Sequence, residues 1–153
     1  IFRGPPGPKL YDNATLVITS NNVLLTPQTL DNEFMRTVRA RLNGYTESEL
    51  ASEGDLKLVQ TCGPRTLKIV QDIASVNIGS HTHVSLGLFL SATAKTISDI
   101  SVSITEVVED CETGRKLFDS SDSKDGADIA TILSDLAHRS VKEAYDYQRR
   151  PRK

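Results

Sequence analysis

The chain has 153 residues, 38% hydrophobic and 25% charged, a soluble-domain composition that argues against wholesale disorder. No apolar run approaches the roughly 20 residues that cross a bilayer as a helix. The formal net charge is −2 although Arg149, Arg150, Arg152 and Lys153 crowd the end, so the rest of the chain is more acidic still and nucleic acid is not an expected partner.

Residues 1–12 read as a linker, because Pro5, Pro6 and Pro8 alternate with Gly4 and Gly7 and cannot form helix. The first residue is Ile1, and a cleaved signal peptide, a trimmed lipoprotein tether and a truncated chain all leave such a start. Residues 13–147 are expected to form a single α+β domain, and residues 148–153 a basic tail.

The β-branched run Ala14–Thr19 ends at Ser20, Asn21 and Asn22 and predicts a first strand. Thr26–Pro27 then reads as a helix start. Leu30, Phe34, Val38 and Leu42 recur every four residues, with Arg36, Arg39 and Arg41 on the solvated side, and Asn43–Gly44 is the expected stop. Polar residues 45–55 predict a loop or a short turn. Strand patterns follow at Leu56–Gln60 and, past the break at Gly63–Pro64, over residues 67–74.

The segment Val84–Leu90 is the most apolar in the chain, and Leu86, Leu88, Phe89 and Leu90 are the candidate partner surface. Its pattern leaves a buried strand, a packed loop and an exposed element all open. Ile100, Val102 and Ile104 alternate with polar residues, Asp110–Arg115 makes a turn around Gly114, and Lys116–Phe118 begins the return strand of a hairpin. A final helix starts near Asp125 or Ala127, and its apolar positions Ile129, Ile132, Leu133, Leu136, Ala137, Val141, Ala144 and Tyr145 follow helical spacing. The element order implies an α+β fold, with two helices packed on one face of a mainly antiparallel four- to five-stranded sheet.

Cys62 and Cys111 are too few for a zinc site without histidines, which leaves one disulfide or two free thiols. Both flank turn residues at strand ends, where Cα atoms of neighbouring strands come within about 6 Å. A disulfide, and with it an oxidising compartment, is the expectation. His81 and His83 sit two apart, a spacing that sets two metal ligands on one side of an extended chain, and a metal-dependent enzyme is the corresponding alternative. No third ligand lies nearby, so a polar loop is the preferred account, with no metal, cofactor or catalytic residue assigned. Asp119, Asp122, Asp125 and Asp128 lack calcium-loop spacing, since a twelfth position counted from Asp119 is Ala130 rather than glutamate. They predict a polar loop with helix-capping aspartates. No GxSxG, HExxH, GxGxxG or phosphate-binding glycine loop is present in the sequence.

The hairpin from Ser101 to Leu117, with its turn Asp110-Cys111-Glu112-Thr113-Gly114-Arg115-Lys116-Leu117, resembles one found in small bacterial envelope lipoproteins. It is similar to hairpins of the TolB N-terminal domain and of curli-secretion lipoproteins, and Gly63–Ile69 is similar to the strand that leads into it. The resemblance implies a non-enzymatic periplasmic domain associated with the outer membrane, tethered through an upstream segment. It would work through a protein partner in envelope assembly, secretion or transport, or through self-association as a subunit of a ring-forming secretion channel. The sequence departs from the family in placing Cys111 within the turn and in having no lipid-attachment cysteine in the given residues.

Overall fold

Two helices lie across one face of a six-stranded mixed sheet. The structure, a computed structural model, describes residues 10–52, 55–86 and 92–148, without the side chains of 80–86, 92–98 and 148. The elements run β1 (Asn13–Thr19), β2 (Leu24–Thr26), α1 (Asn32–Ser52), β3 (Lys57–Leu58), β4 (Thr66–Leu86), β5 (Ala92–Asp110), β6 (Lys116–Gly126) and α2 (Ile129–Gln148). Sheet order is β3-β1-β4-β5-β6, with β2 beside β4 at Ser75–Asn77.

The sheet departs from the expectation in having six strands rather than four or five and in pairing β1, β2 and β3 in parallel, while its long ladders are antiparallel as expected. The cause lies in the connection: β4 follows α1 instead of a tight turn, and a crossover of that length returns the chain in the same direction as β1. From β4 onward the strands form an antiparallel meander. A register shift between Ile73 and Ser75 changes which residues of β4 face the core. Leu67, Ile69 and Ile73 are buried before it and Val76 after it, as an inserted residue in a period-two pattern requires.

Helix α1 begins later and ends later than the sequence pattern predicts. Thr26 belongs to β2, and the cap is Asp31, whose Oδ1 accepts the Phe34 N–H at 2.8 Å. The helix runs through Gly44 to Ser52 because Thr46 and Leu50 continue the buried stripe of Met35, Val38 and Leu42. A glycine in a helix interior costs about 1 kcal/mol, which the burial of Leu50 offsets at about 1.5–3 kcal/mol. Asn43 donates to Glu47 at 3.0 Å, one turn along, and bridges the glycine.

Most of the expected polar loop over residues 119–128, as far as Gly126, is instead strand β6, paired with β5 up to Ile100↔Gly126. Its serines and aspartates fit a strand because β6 is the sheet edge, where polar and charged residues are tolerated and discourage further pairing. Asp128 caps α2, as expected of that cluster, with its carboxylate accepting Thr131 Oγ1–H at 2.8 Å and the Ala130 N–H at 3.3 Å. These bonds, that from Thr131 first, hold the Asp128 carboxyl below the usual range.

The core divides into two clusters. One joins Met35, Val38 and Leu42 of α1 to Ile132, Leu133, Leu136 and Ala137 of α2 over Ile73, Val76, Val102 and Ile104. The other joins Leu50, Val141 and Ala144 to Ala14, Leu67, Ile69 and Val108. Buried polar residues Thr46, Gln71, Glu106 and Ser140 belong to neither cluster.

Candidate functional site

Cys62 and Cys111 are joined by a disulfide, with Cα atoms 5.3 Å apart. It ties the β3–β4 connection to the β5–β6 turn. That turn is built by Asp110, whose Oδ1 accepts the N–H groups of Glu112 and Thr113 at 2.9 and 3.1 Å and whose carbonyl accepts the Gly114 N–H at 2.8 Å. The Thr113 bond is foremost among the causes that hold the Asp110 carboxyl below its usual range. Tyr11 donates to Asp110 Oδ2 at 2.9 Å, and burial followed by this bond pushes the phenol up to about 12.

Gly114 has φ of +73°, and a Cβ placed there would meet no atom within 4 Å. Space is therefore not the constraint. Gly114→Ala is expected to cost about 1–2 kcal/mol, the penalty of a left-handed backbone for an L-residue, read as a lower midpoint in urea denaturation.

The longest feature of the sheet is the β4–β5 hairpin. Its last pairings to third strands are Asn77 with Thr26 of β2 and Ile100 with Gly126 of β6. Beyond them, eight further pairs run from Gly79↔Asp99 to Leu86↔Ala92 with no third strand on either side among the described residues. At about 3.4 Å per residue, this arm extends about 25 Å past the sheet body. Of the candidate partner surface, Leu86 is at the end of β4, while Leu88, Phe89 and Leu90 lie outside the described residues.

His81 and His83 belong to this arm, not to a polar loop. Pairing with Ile97 and Lys95 carries the strand through them, and neither of those partners is a metal-ligating residue type. The third histidine, His138, is exposed on α2, and its Nδ1 lies 3.0 Å from Glu49 Oε2 of α1. Of the α1 arginines, Arg36 and Arg41 are exposed as expected, while Arg39 is half-buried and donates to Ser20 Oγ.

The least expected group is Glu106, which is 1% exposed near the C-terminal end of β5. Its cross-strand neighbours are Gln71 on β4 and Ser120 on β6. Thr46 Oγ1 donates to Gln71 Oε1 at 3.3 Å, and Gln71 Nε2 donates to Ser140 Oγ at 2.9 Å, so one polar chain links α1, β4 and α2. Ser120 donates to Glu143 Oε2 at 2.7 Å on the other side. Glu106 joins neither chain, and both its carboxyl oxygens are buried without a protein partner. Burial first, and then the like charge of Glu143, push this carboxyl from the ordinary 4.5 up to about 8. The signal for it was in the sequence. The alternating row Ile100, Val102, Ile104, Glu106, Val108 sets a carboxylate at an inward position of a strand.

The chain shares its fold with the DUF330 protein XCC0632 of Xanthomonas campestris. That crystal structure superposes with a TM-score of 0.54 at 7% identity, over 96% of this chain and 93% of that one. Lower on the scale are a minor lipoprotein of Acinetobacter baumannii (TM-score 0.47, 8% identity, 92% and 97% covered) and the PelC dodecamer of Paraburkholderia phytofirmans (0.49, 10%, 98% and 96%). No family model matches the chain, and no curated protein matches it either. At these identities the likeness concerns the fold alone. Among the described residues no helix is long and apolar enough to cross a membrane.

Proposed function

We propose that the protein is a non-enzymatic binding or accessory domain of the bacterial envelope, periplasmic and held at the outer membrane, serving assembly, secretion or transport. The observation that carries this reading is the β4–β5 arm, eight strand pairs that stand clear of the sheet and lead to the apolar residues 84–90 of the sequence. An isolated two-stranded ribbon is marginal in water, and open strand edges pair readily with another chain. An arm of this kind is suited to partner capture. The disulfide supports an oxidising compartment, and the likeness of the Ser101–Leu117 hairpin to those of TolB-type and curli-secretion lipoproteins supports the envelope.

The test is to cross-link the protein in its host envelope and compare it with Leu88→Asp and Phe89→Asp variants. Partners are expected to be lost while circular dichroism and melting temperature stay unchanged. Recovery of the same partners by the variants, or global unfolding of the variants, would remove the partner-surface role.

A second reading, a subunit of a ring-forming channel, is favoured by the same arm, because among the described residues it leaves one edge of β4 and one edge of β5 unpaired, which permits head-to-tail pairing between copies. Light scattering separates the two readings. A monomer at high protein concentration argues against the ring.

A further inference from the structure

The buried row of β5 that faces the helices is apolar except at Glu106. A cavity with room for about one water molecule, about 10 Å³ and partly open toward the exposed Glu143, lies beside this residue and is lined also by Ile104, Ser120, Asp122, Leu136 and Ser140. The charged groups around it are Glu143 and Arg139 from α2 and Asp122 from β6, and the last two pair with each other at 3.0 Å. β4 presents the uncharged Gln71, which α1 meets through Thr46. Glu106 is thus left facing a second carboxylate, with both its own oxygens unpartnered. Its burial, and then the nearby negative charge of the exposed Glu143, both disfavour ionisation of Glu106.

We propose that Glu106 is a proton-operated latch beneath α2: as a neutral acid sharing its cavity with one water molecule it keeps the helix on the sheet, and undocking of the helix releases the proton. The docked and undocked states then differ by one bound proton. Undocked, Glu106 is in water and titrates near 4.5, whereas docked it keeps its proton up to about 8. The sign follows from linkage. With the docked value raised above the free one, the stabilisation is complete below the ordinary carboxylate range, declines as pH rises through the window, and levels off above about 8, where both states are ionised. One proton corresponds to about a tenfold change in the opening equilibrium per pH unit.

Hydrogen exchange of the α2 amides from Ile132 to Ala144 reads this directly, once rates are corrected for the intrinsic pH dependence of exchange. The opening constant is expected to rise about tenfold per pH unit between about pH 5 and 8 and then to level off. In Glu106→Gln the slope is expected to vanish. In Glu143→Gln, which removes the facing charge, the slope is expected to persist but to level off at lower pH. A flat profile in the native protein, or an unchanged slope in Glu106→Gln, would overturn the latch. A carboxyl ¹³C titration of the native protein needs no variant to fold. A Glu106 midpoint near 8 supports the proposal, and one near 4.5 overturns it.

Discussion

Replacing Cys62 and Cys111 together by alanine is expected to lower stability by about 2–4 kcal/mol. The bond joins residues 49 apart in sequence, and in the chain-entropy account a loop of that length is worth about 4 kcal/mol through its restriction of the unfolded state. Cys62 is exposed and Cys111 only half-buried, so truncation to alanine removes little packing and the loss reports the constraint itself. Urea denaturation provides the check. The midpoint should fall, and the dependence on denaturant should steepen, because an unfolded chain without the cross-link exposes more surface. A loss under about 0.5 kcal/mol would mean that the contacts of the Asp110 turn already hold the two segments together without the bond. The same bond bears on compartment. Protein taken from its native host should have no alkylatable thiol before reduction, and two free thiols there would undercut the periplasmic reading.

Leu133→Ala should cost about 2–5 kcal/mol. The side chain is fully buried in the cluster that joins both helices to the sheet. Its removal loses the transfer free energy of the deleted methyl groups, together with contacts that the surrounding rigid packing restores only in part. Leu24→Ala is the control: this residue is 66% exposed on β2, and its replacement should change stability by less than about 0.5 kcal/mol. If the two variants melt together, α2 is not docked as described.

Much of this architecture was legible locally. The spacing Ile132, Leu133, Leu136, Val141 marks one face of α2, and all four residues are buried. The β-branched run Ala14–Thr19 is a strand, and Asp110–Arg115 is a turn about Gly114. Elsewhere the local signal pointed the wrong way. Asn43–Gly44 reads as a helix stop, yet Thr46 and Leu50 find places in the core and the helix continues. The stretch from Asp119 to Gly126 reads as a loop because strand propensity is low there, yet pairing with β5 at a solvated edge supplies its backbone hydrogen bonds. Leu24–Thr26, with three residues, is too short for any periodicity to register.

The candidate site was legible in a different measure. The apolar character of residues 84–90 is plain in the sequence, but that 84–86 belong to an arm with no third strand among the described residues depends on where β2 and β6 stop. Glu106 was visible as a break in an alternating apolar row, though a single carboxylate in a strand commonly faces solvent. What makes it unusual is nonlocal: α2 covers it, Glu143 stands over it, and the hydrogen bonds of Gln71 and Ser120 are directed elsewhere.

The sequence by itself determined the α+β class, the burial face of α2, the hairpin turn and the acidic, helix-spanning-free character of the chain, because each depends on residues within a few positions of one another or on composition. Only the tertiary structure decided the parallel pairing of β1 with β4, the bulge beside Ile73 that re-aims the strand, the joining of Cys62 to Cys111 and the burial of Glu106. Those features bring together residues tens of positions apart, and it is the packing of whole elements against one another that selects such partners.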